Sequence, residues 1–389
     1  MAIILFDNQF RKKLSPLTLT KAVADLRTGI LRRKEWWQLR TSQQIFIHTT
    51  DHLQLLYTAI PTSDHIWVDA SLIPDDDMLD RIVSLDMDEA LADVQGLVAG
   101  RLTIGATHFD RSNSLQHFHQ ITDIASTRRL EYPQDVFQWN DEAIRNDFKL
   151  LTQGRASQPL SVTNQLISAE NIFLEEGAMV EHCLLNAATG PIYIGKDATL
   201  MEGCMVRGPF AICAGGTLKM GAKVYGATTI GTKSVGGGEI KNSIISDFSN
   251  KAHDGYLGDS VIGEWCNLGA GTSNSNVKNT GGEVKLWNHH SGSYEIAGQK
   301  CGVIMGDYSR TAINSSINTG SIIGVCCNVF GEGLLPKLIH DFTWGTKGLS
   351  KYEFNKALQD ISNWKKMKQK DLTKEEITVL EYIFQNIQS

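Results

Sequence analysis

An aliphatic side chain recurs at every sixth position through the middle of this 389-residue chain. The series consists of Ile194, Leu200, Val206, Ile212, Leu218, Val224 and Ile230. An α-helix repeats every 3.6 residues and a flat strand every two, so neither produces this spacing. A triangular parallel β-helix does, because each hexad forms one side of a coil and each coil buries its core by stacking on its neighbours. The spacing therefore predicts a β-solenoid.

The repeat continues on both sides of that run. Its further members are Leu174, Val180, Ile262, Leu268, Met305, Thr311, Ile317, Ile323 and Val329. We therefore expect coils over 168–333, in a domain of residues 160–333, with irregular stretches at 235–256 and 273–300. Regular coils carry little polar chemistry, so function is expected in the irregular stretches.

The flanking regions have a different pattern. Within a predicted domain of residues 1–155, strands are expected at Ile3–Phe6, Ile45–His48, Ile66–Asp69 and Gln95–Ala99, and helices at 21–39, 52–59, 74–85 and 142–153. This alternation is typical of an open, parallel, Rossmann-like α/β sheet, whose ligands bind beyond the carboxyl ends of the strands. Residues 334–389 predict a connector and two helices, with apolar stripes at Phe354, Leu358, Ile361 and Trp364 and at Ile377, Leu380, Phe384 and Ile387.

Composition narrows the class of protein. The chain has 37 basic and 43 acidic residues, a net charge of −6, which argues against nucleic acid as a partner. Its seven cysteines include no CxxC pair, which favours reduced thiols over disulfides or a zinc ribbon. No 18-residue apolar segment or basic leader is present, so no membrane partner is expected and the prediction is a soluble cytoplasmic protein.

One segment of the solenoid carries a specific motif set. Its parts are Glu239-Ile-Lys241, Lys251-Ala-His253-Asp-Gly-Tyr256-Leu-Gly-Asp259, Asn267-Leu-Gly-Ala-Gly-Thr272 and Asn276. This set closely resembles the family of bifunctional N-acetylglucosamine-1-phosphate uridyltransferases/glucosamine-1-phosphate acetyltransferases. The resemblance implies an amino-terminal nucleotidyltransferase-like domain and a left-handed parallel β-helix. It also implies a homotrimer with acetyltransferase sites between subunits.

The resemblance assigns roles in acetyl transfer. His253 corresponds to the general base, Lys241 to a lysine that binds the sugar phosphate, and Tyr256 and Asn267 to residues that hold the amino sugar. Acetyl transfer needs a proton removed from an ammonium before its nitrogen can attack a thioester. An imidazole that titrates near neutrality suits that step, which is typically worth about 10²–10⁴-fold in rate. The alternative is that His253 is a polar residue in a surface loop.

The acyl-CoA side of the motif matches less closely. Asn276 corresponds to an asparagine near acetyl-CoA, the co-substrate that the resemblance implies. Beyond it this chain inserts residues that the family lacks. Lys285, within the insertion, is a candidate partner for a CoA phosphate.

The amino-terminal region departs from the family pattern. Uridyltransferases of this kind begin with a glycine-rich loop whose backbone amides bind the nucleoside triphosphate, but the first glycine here is Gly29. If phosphates bind, side chains must supply the positive charge. The candidates are Arg11, Lys12, Lys13, Lys21 and Arg27. The alternative is a solvated basic turn.

Two residues are candidates for a magnesium site. Asp69, at the end of Ile-Trp-Val-Asp, resembles the family's Mg²⁺-binding aspartate at the matching strand end, and Asn140 could stand for its second ligand. A helix cap explains Asn140 equally well.

Three functions remain open from sequence. The favoured one is a transferase that acetylates glucosamine-1-phosphate from acetyl-CoA and couples the product to UTP, giving UDP-N-acetylglucosamine. The second is a nucleotidyltransferase acting on a nucleoside triphosphate and a sugar-1-phosphate, with the β-helix as a trimerisation scaffold. The third is a non-enzymatic assembly or ligand-sensing protein.

Overall fold

The computed structural model describes residues 1–346 and 350–386, and it begins with a six-stranded mixed sheet. The strands are β1 (Ala2–Phe6), β2 (Ile45–His48), β3 (Asp64–Asp69), β4 (Glu89–Asp93), β5 (Gly96–Thr103) and β6 (Gln120–Asp123), in the order β2-β1-β3-β5-β4-β6. The helices are α1 (Arg33–Thr41), α2 (Asp51–Gln54), α3 (Asp76–Val83), α4 (Asp135–Gln138) and α5 (Asn140–Thr152). Short 3₁₀ turns lie at Arg11–Leu14, Val23–Asp25, Ala106–His108 and Ser114–His117.

Half of this sheet agrees with the parallel prediction. β1 pairs in parallel with β2 and β3, but β5 runs antiparallel to β3 and β4, so the prediction of an all-parallel sheet is wrong there. The cause is the tight connection from β4 to β5, where Gly96 adopts a φ of +114° in open space. The predicted helix over 21–39 is likewise interrupted by Gly29 at φ +87°, so only a 3₁₀ turn and α1 form.

The middle of the chain is a three-sided parallel β-helix, which confirms the predicted solenoid. We call its sheets the first, second and third face. The first face consists of Gln165–Ile167, Leu184–Asn186, Met205–Arg207, Lys223–Tyr225, Glu239–Lys241 and Tyr256–Gly258. The second consists of Ile172–Leu174, Ile192–Ile194, Phe210–Ile212, Thr228–Ile230, Ile244–Ile245, Val261–Ile262, Val303–Met305, Ser321–Ile323 and Leu338–Ile339. The third consists of Met179–Val180, Thr199–Leu200, Thr217–Leu218, Val235–Gly236, Asn250–Lys251, Asn267–Leu268, Arg310–Thr311, Asn328–Val329, Thr343–Trp344 and Ser350–Lys351.

The residues of the six-residue repeat line the interior of the coils. All seven members of the series from Ile194 to Ile230 are 0–2% exposed and belong to one apolar core. Burying a Val, Leu or Ile side chain is worth about 1.5–3 kcal/mol, so this column supplies much of the stability of the coils.

The stretch 235–256 is not irregular, contrary to the sequence prediction. Ile212 lies beside Ile230, 18 residues on, whereas Ile230 lies beside Ile245, 15 residues on. The coil is therefore complete but shorter, and this shortening removes the six-residue period without removing the strands. Gly237 permits the tighter corner, because a Cβ there would lie 2.4 Å from the Ala252 carbonyl oxygen.

The stretch 273–300 does leave the coil. After a short strand at Ser273–Asn274, which pairs with Ser316–Ile317, the chain forms an antiparallel hairpin of Val284–Asn288 and Ser293–Gly298. Val284, Leu286 and Ala297 are buried in the core shared with the amino-terminal sheet. The hairpin therefore fastens the two regions together.

The rest of the chain covers two faces of the β-helix. α5 packs on the second face through Ile144, which shares a cluster with Phe173 and Tyr193. The carboxyl-terminal helices α6 (Phe354–Met367) and α7 (Lys374–Gln385) bury Ile361 and Leu380 beside Trp265 at the border of the second and third faces. The predicted stripe residue Ile387 lies outside the described residues. The first face receives neither group of helices.

The division into residues 1–155, 160–333 and 334–389 stays a prediction. Among the described residues, no helix is long and apolar enough to cross a bilayer.

Buried ion pairs join the amino-terminal region to the β-helix. Asp247, 3% exposed, lies 3.1 Å from the Arg27 guanidinium and 2.5 Å from that of Arg32. Burial alone would raise the pKa of Asp247, but these two cations lower it to about 2. Lys21 binds both Glu264 and Asp307 at 2.9 Å. These contacts fix how the amino-terminal region lies on the solenoid.

Asp247→Ala should destabilise the protein by about 3–5 kcal/mol, because it leaves the buried Arg27 guanidinium with only the more distant Glu35, at 4.0 Å, as a counter-ion. The measurement is the free energy of unfolding in urea. Asp141→Ala is the matched control, since Asp141 is 52% exposed in its pair with Arg145 and should cost under about 1 kcal/mol. Equal losses of unfolding free energy in the two variants would contradict the assignment of Asp247 as a buried counter-ion.

Candidate acetyltransferase and nucleotide sites

His253 lies at the corner between the third and first faces. Residues 252–255 form the turn that joins Asn250–Lys251 to Tyr256–Gly258, and the His253 side chain is exposed on it. Beneath it the Lys251 side chain is only 1% exposed, and its Nζ donates hydrogen bonds to the carbonyl oxygens of Gly237 (3.1 Å) and His253. Lys251 therefore holds the backbone of the turn that presents the imidazole.

Lys251 has no carboxylate within ion-pair distance among the described residues. Burial lowers the pKa of this lysine to about 8, although the nearby Asp254 acts in the opposite direction. The protonated ammonium is therefore held mainly by carbonyl oxygens, at a cost in desolvation.

Lys241 and Tyr256 lie on adjacent strands of the first face. Lys241 is in register with Gly258, and Tyr256 with Glu239. The Tyr256 phenol lies along its own strand over Gly258, because a Cβ added at Gly258 would be 2.2 Å from the Tyr256 hydroxyl. The absence of a side chain at Gly258 thus brings the phenol toward Lys241.

A polar network holds the Tyr256 ring. Asn276 Nδ2 donates to the Tyr256 hydroxyl at 3.1 Å and also to Asp259, which accepts from Asn242 at 2.7 Å. Burial, followed by the Asp259 charge, raises the pKa of Tyr256 to about 12. The phenol therefore stays neutral near pH 7 and keeps a proton to donate to a ligand.

The Lys241 ammonium is available to a ligand. The neighbouring carboxylate, Glu239, accepts a hydrogen bond of 2.6 Å from Tyr225, and this bond raises the pKa of Tyr225 to about 12. Within residues 1–346 and 350–386, no carboxylate lies within 4.0 Å of Lys241 Nζ. The first face thus offers a cation and a carboxylate on one strand and a phenol on the next, a set suited to an amino-sugar phosphate.

Two predicted residues of this site lie elsewhere in the single chain. Asn267 is on the third face beside Asn250, which accepts from Lys368 at the end of α6. Lys285 is exposed on the hairpin, which leaves the coil between the first and second faces. Neither shares the first face with Lys241, so one chain does not bring the whole predicted set together.

The predicted nucleotide-binding cations are divided between two environments. Arg11 pairs with Asp7 at 3.0 Å, and Lys21 and Arg27 belong to the buried ion pairs described above. Lys12 is exposed. Lys13 lies 3.7 Å from Glu131. Lys12 therefore remains accessible, Lys13 is partly exposed beside Glu131, and the other three are engaged within the protein.

The crevice beyond the carboxyl ends of β1 and β3 is nearly closed. Its cavity volume is about 10 Å³, between residues that include Asn8, Lys13, Asp69 and Arg129. That is room for about one water molecule.

Asp69 and Asn140, as arranged here, do not fit a shared magnesium ion. Both oxygens of Asp69 already accept hydrogen bonds, from Ser71 backbone and hydroxyl on one side and from Asn8 and Arg129 on the other. The Arg129 guanidinium also pairs with Asp93. Mg²⁺ requires oxygen ligands with free lone pairs in octahedral geometry.

Asn140 is fully buried at the junction with the β-helix. Its Oδ1 accepts from the Gly29 amide (2.8 Å) and Thr229 (3.2 Å), and its Nδ2 donates to the Ala227 carbonyl (2.9 Å). In the described part of the chain no three His, Cys, Asp or Glu side chains are grouped as a metal site requires. The metal assignment of Asp69 and Asn140 stays a prediction without structural support.

The sequence assigned no role to Lys251, Asn242 or Tyr225. Lys251 begins the segment that contains His253, but its burial cannot be seen without the fold. Tyr225 and Asn242 could have been found from the coil register, which places Tyr225 beside Lys241.

Comparison with known proteins agrees with the resemblance. Residues 3–156 match the family model described as sugar nucleotidyl transferase. The "Bifunctional protein GlmU" of Methanocaldococcus jannaschii is 37% identical over 106 residues, which cover 27% of this chain and 26% of that protein. The "Bifunctional sugar-1-phosphate nucleotidylyltransferase/acetyltransferase" of Sulfurisphaera tokodaii is 37% identical over 92 residues, covering 24% and 23%.

The matched lengths are short. GlmU of Stutzerimonas stutzeri is 30% identical over 133 residues, covering 30% of this chain and 27% of that protein. The chain thus spans about a quarter of the length of the curated relatives it matches. A solved structure of Arabidopsis UDP-N-acetylglucosamine acyltransferase matches 59% of this chain and 90% of its own chain. The sequence identity is 16% and the TM-score is 0.28.

The free energy of unfolding of the wild type, relative to that of Lys251→Met, should rise between about pH 8 and pH 10.5. In this window the unfolded chain binds a proton at Lys251 that the folded chain has released, so raising the pH favours folding. The expected rise is on the order of 3 kcal/mol, measured as the difference in unfolding free energy at each pH. Lys223 is an exposed lysine on the first face, so the difference in unfolding free energy between the wild type and Lys223→Met should not change with pH. A pH-independent difference for Lys251→Met would contradict the burial of the Lys251 ammonium.

Proposed function

We propose, starting from its place as a divergent member of the GlmU-like family, that this chain is a sugar-1-phosphate transferase. Its proposed reactions are acetylation of glucosamine-1-phosphate by acetyl-CoA and coupling of the product to UTP. The observation that carries the acetyl-transfer half is the Lys241 ammonium, which has no carboxylate partner among the described residues and lies on the face that receives neither group of helices.

Each group of the acetyl-transfer site has a proposed role. Lys241 binds the phosphate, for which its three N–H donors suit the charged oxygens. The Tyr256 hydroxyl, fixed by Asn276, donates to a sugar hydroxyl. Asn276 therefore acts here through Tyr256, and a contact of Asn276 or Lys285 with acetyl-CoA is a further proposal.

His253 is the proposed general base. Its imidazole takes a proton from the sugar ammonium, the free amine attacks the thioester carbonyl, and the C–S bond breaks as the new C–N bond forms. The acylated nitrogen then loses its second proton, which passes to the departing thiolate, while the imidazolium releases the first proton to solvent, so the products are N-acetylglucosamine-1-phosphate, CoA and one proton. Exposure on a turn braced by Lys251 leaves the ring free to reach a bound substrate.

A homotrimer would bring Asn267 of a neighbouring subunit toward the first face. Ile167 (48%), Leu184 (39%) and Met205 (49%) are exposed there. Leu184 and Met205 line an apolar depression of about 440 Å³. Contiguous exposed apolar surface of this kind marks contact with another protein, and the family resemblance supports a second and third copy of this chain. A cytoplasmic location is part of the same proposal.

The nucleotidyl half rests on the family match of residues 3–156, on the exposed Lys12 and on the partly exposed Lys13. No step is assigned to a magnesium ion, because Asp69 and Asn140 do not offer it ligands. The nearly closed crevice favours a second candidate for this region, a ligand-sensing or assembly role without nucleotidyl transfer.

His253→Ala should lower acetyl transfer by about 10²–10⁴-fold, because the general base is lost. The assay follows thiol release from acetyl-CoA with glucosamine-1-phosphate as acceptor. His182→Ala is a matched control, since His182 is also exposed just before a first-face strand, several coils away. It should retain wild-type activity.

Three results decide between the candidate functions. Thiol release that survives in His253→Ala contradicts the acetyl-transfer assignment. Pyrophosphate release with UTP and a sugar phosphate, without thiol release in the wild type, identifies a nucleotidyltransferase alone. Absence of both reactions in a stable trimer identifies a non-enzymatic protein.

A further inference from the structure

A large cleft of the amino-terminal region lies away from the closed crevice. It has a volume of about 590 Å³ and is formed by α1, α5 and the loop that leads into α3. Ligand sites for small organic molecules commonly have volumes of about 300–1,000 Å³. The cleft therefore has room for a ligand that the 10 Å³ crevice cannot hold.

Arg33, on the first turn of α1, lines this cleft without a counter-ion. It is 8% exposed, its Nη2 donates to the Leu72 carbonyl, and its buried Nε has no hydrogen-bond partner. Among the described residues no carboxylate lies within 4.0 Å of its guanidinium, whereas Arg27 and Arg129 pair with aspartates. Burial lowers the pKa of Arg33 to about 10.

A buried guanidinium without an anion is costly, and an anionic ligand would remove that cost. Guanidinium groups bind phosphate oxygens well through their N–H donors, so phosphate is the anion that best suits an arginine without a counter-ion.

Two indoles form part of the walls of the same cleft. Trp36 has Arg33 at 5.9 Å and Arg40 at 5.4 Å from its ring, and Trp139 has Arg128 at 4.6 Å. Both rings are partly exposed. Indole faces beside guanidinium groups suit a ligand with a planar or sugar-like body attached to its phosphate.

The acidic residues of the cleft are already engaged. Asp76 pairs with Arg40 at 2.7 Å and Glu142 with Arg128 at 2.6 Å, both at the exposed rim. Asp75 caps α3 by accepting from Met78, and Asp147 accepts from the Ile30 and Leu31 amides. None of them neutralises Arg33 by direct contact.

We propose that this cleft binds the phosphate of a nucleotide or sugar-1-phosphate through Arg33, with the organic part against Trp36 and Trp139. The inference rests on the nucleotidyl half of the proposed function and moves its ligand from the predicted crevice to the cleft. A nucleotide and a sugar-1-phosphate both carry a phosphate, and they differ in the organic group attached to it.

Isothermal titration of the full chain with UDP, glucosamine-1-phosphate and inorganic phosphate tests the assignment. Arg33→Met should weaken binding of the tightest organic probe at least about tenfold, the loss expected for one charged hydrogen bond. Arg33→Lys, which keeps the charge but loses the planar fork, should bind with intermediate affinity. Arg145→Met, on α5 but outside the cleft, should bind as the wild type.

Thermal melting of each variant shows whether it is folded. If Arg33→Met does not fold, the binding affinity of Arg33→Lys tests the role of Arg33. Tighter binding of UDP than of glucosamine-1-phosphate identifies the nucleotide as the source, and the reverse order identifies the sugar phosphate.

Lys13→Met separates this inference from the function it rests on. Binding lost in Lys13→Met and kept in both Arg33 variants overturns the cleft while nucleotide binding at the predicted crevice stands. Wild-type protein that binds none of the three probes overturns the cleft and the nucleotidyl proposal together, whereas acetyl transfer at His253 is tested by thiol release and is unaffected.

Discussion

A coil with three sides has three outer faces, and the way this chain covers them decides where its chemistry can occur. The inward column from Ile194 to Ile230 is buried by stacking alone. The amino-terminal region and the inserted hairpin take the second face, and α6 and α7 cover its border with the third. Among the described residues no helix covers the first face, and Lys241 and Tyr256 lie on it.

The presence or absence of a carboxylate partner distinguishes the structural cations of this protein from those that are candidates for binding a ligand. Lys21 and Arg27 have buried carboxylate partners on the β-helix, and the pKa of Lys21 is raised because Asp307 and Glu264 outweigh the effect of burial. Lys241 and Arg33 lack carboxylate partners among the described residues, one on an open face and one in a cleft. Paired buried charge fixes how the amino-terminal region lies on the β-helix, whereas unpaired charge is left for a ligand.

The six-residue repeat predicted the interior of the β-helix because each inward-pointing position requires an aliphatic residue, and this requirement can be read from the local sequence. The motif around His253 and Tyr256 likewise indicated the open face. Pairing between distant residues could not be predicted: Asp247 meets Arg27 across 220 positions. For the same reason the predicted nucleotide cations could not be divided into engaged and accessible ones. The hairpin of 284–298 and the short coil before Ile245 depend on packing that the period does not encode.

Mixing two inactive variants tests the central claim, that the open first face is completed by a second copy of the chain. Lys241 lies on the first face and Asn267 on the third, so within one subunit they do not meet. Subunits carrying Lys241→Met and subunits carrying Asn267→Ala, each inactive alone, should regain thiol release from acetyl-CoA and glucosamine-1-phosphate when coexpressed. Mixed assemblies that stay as inactive as either parent would contradict a site shared between subunits.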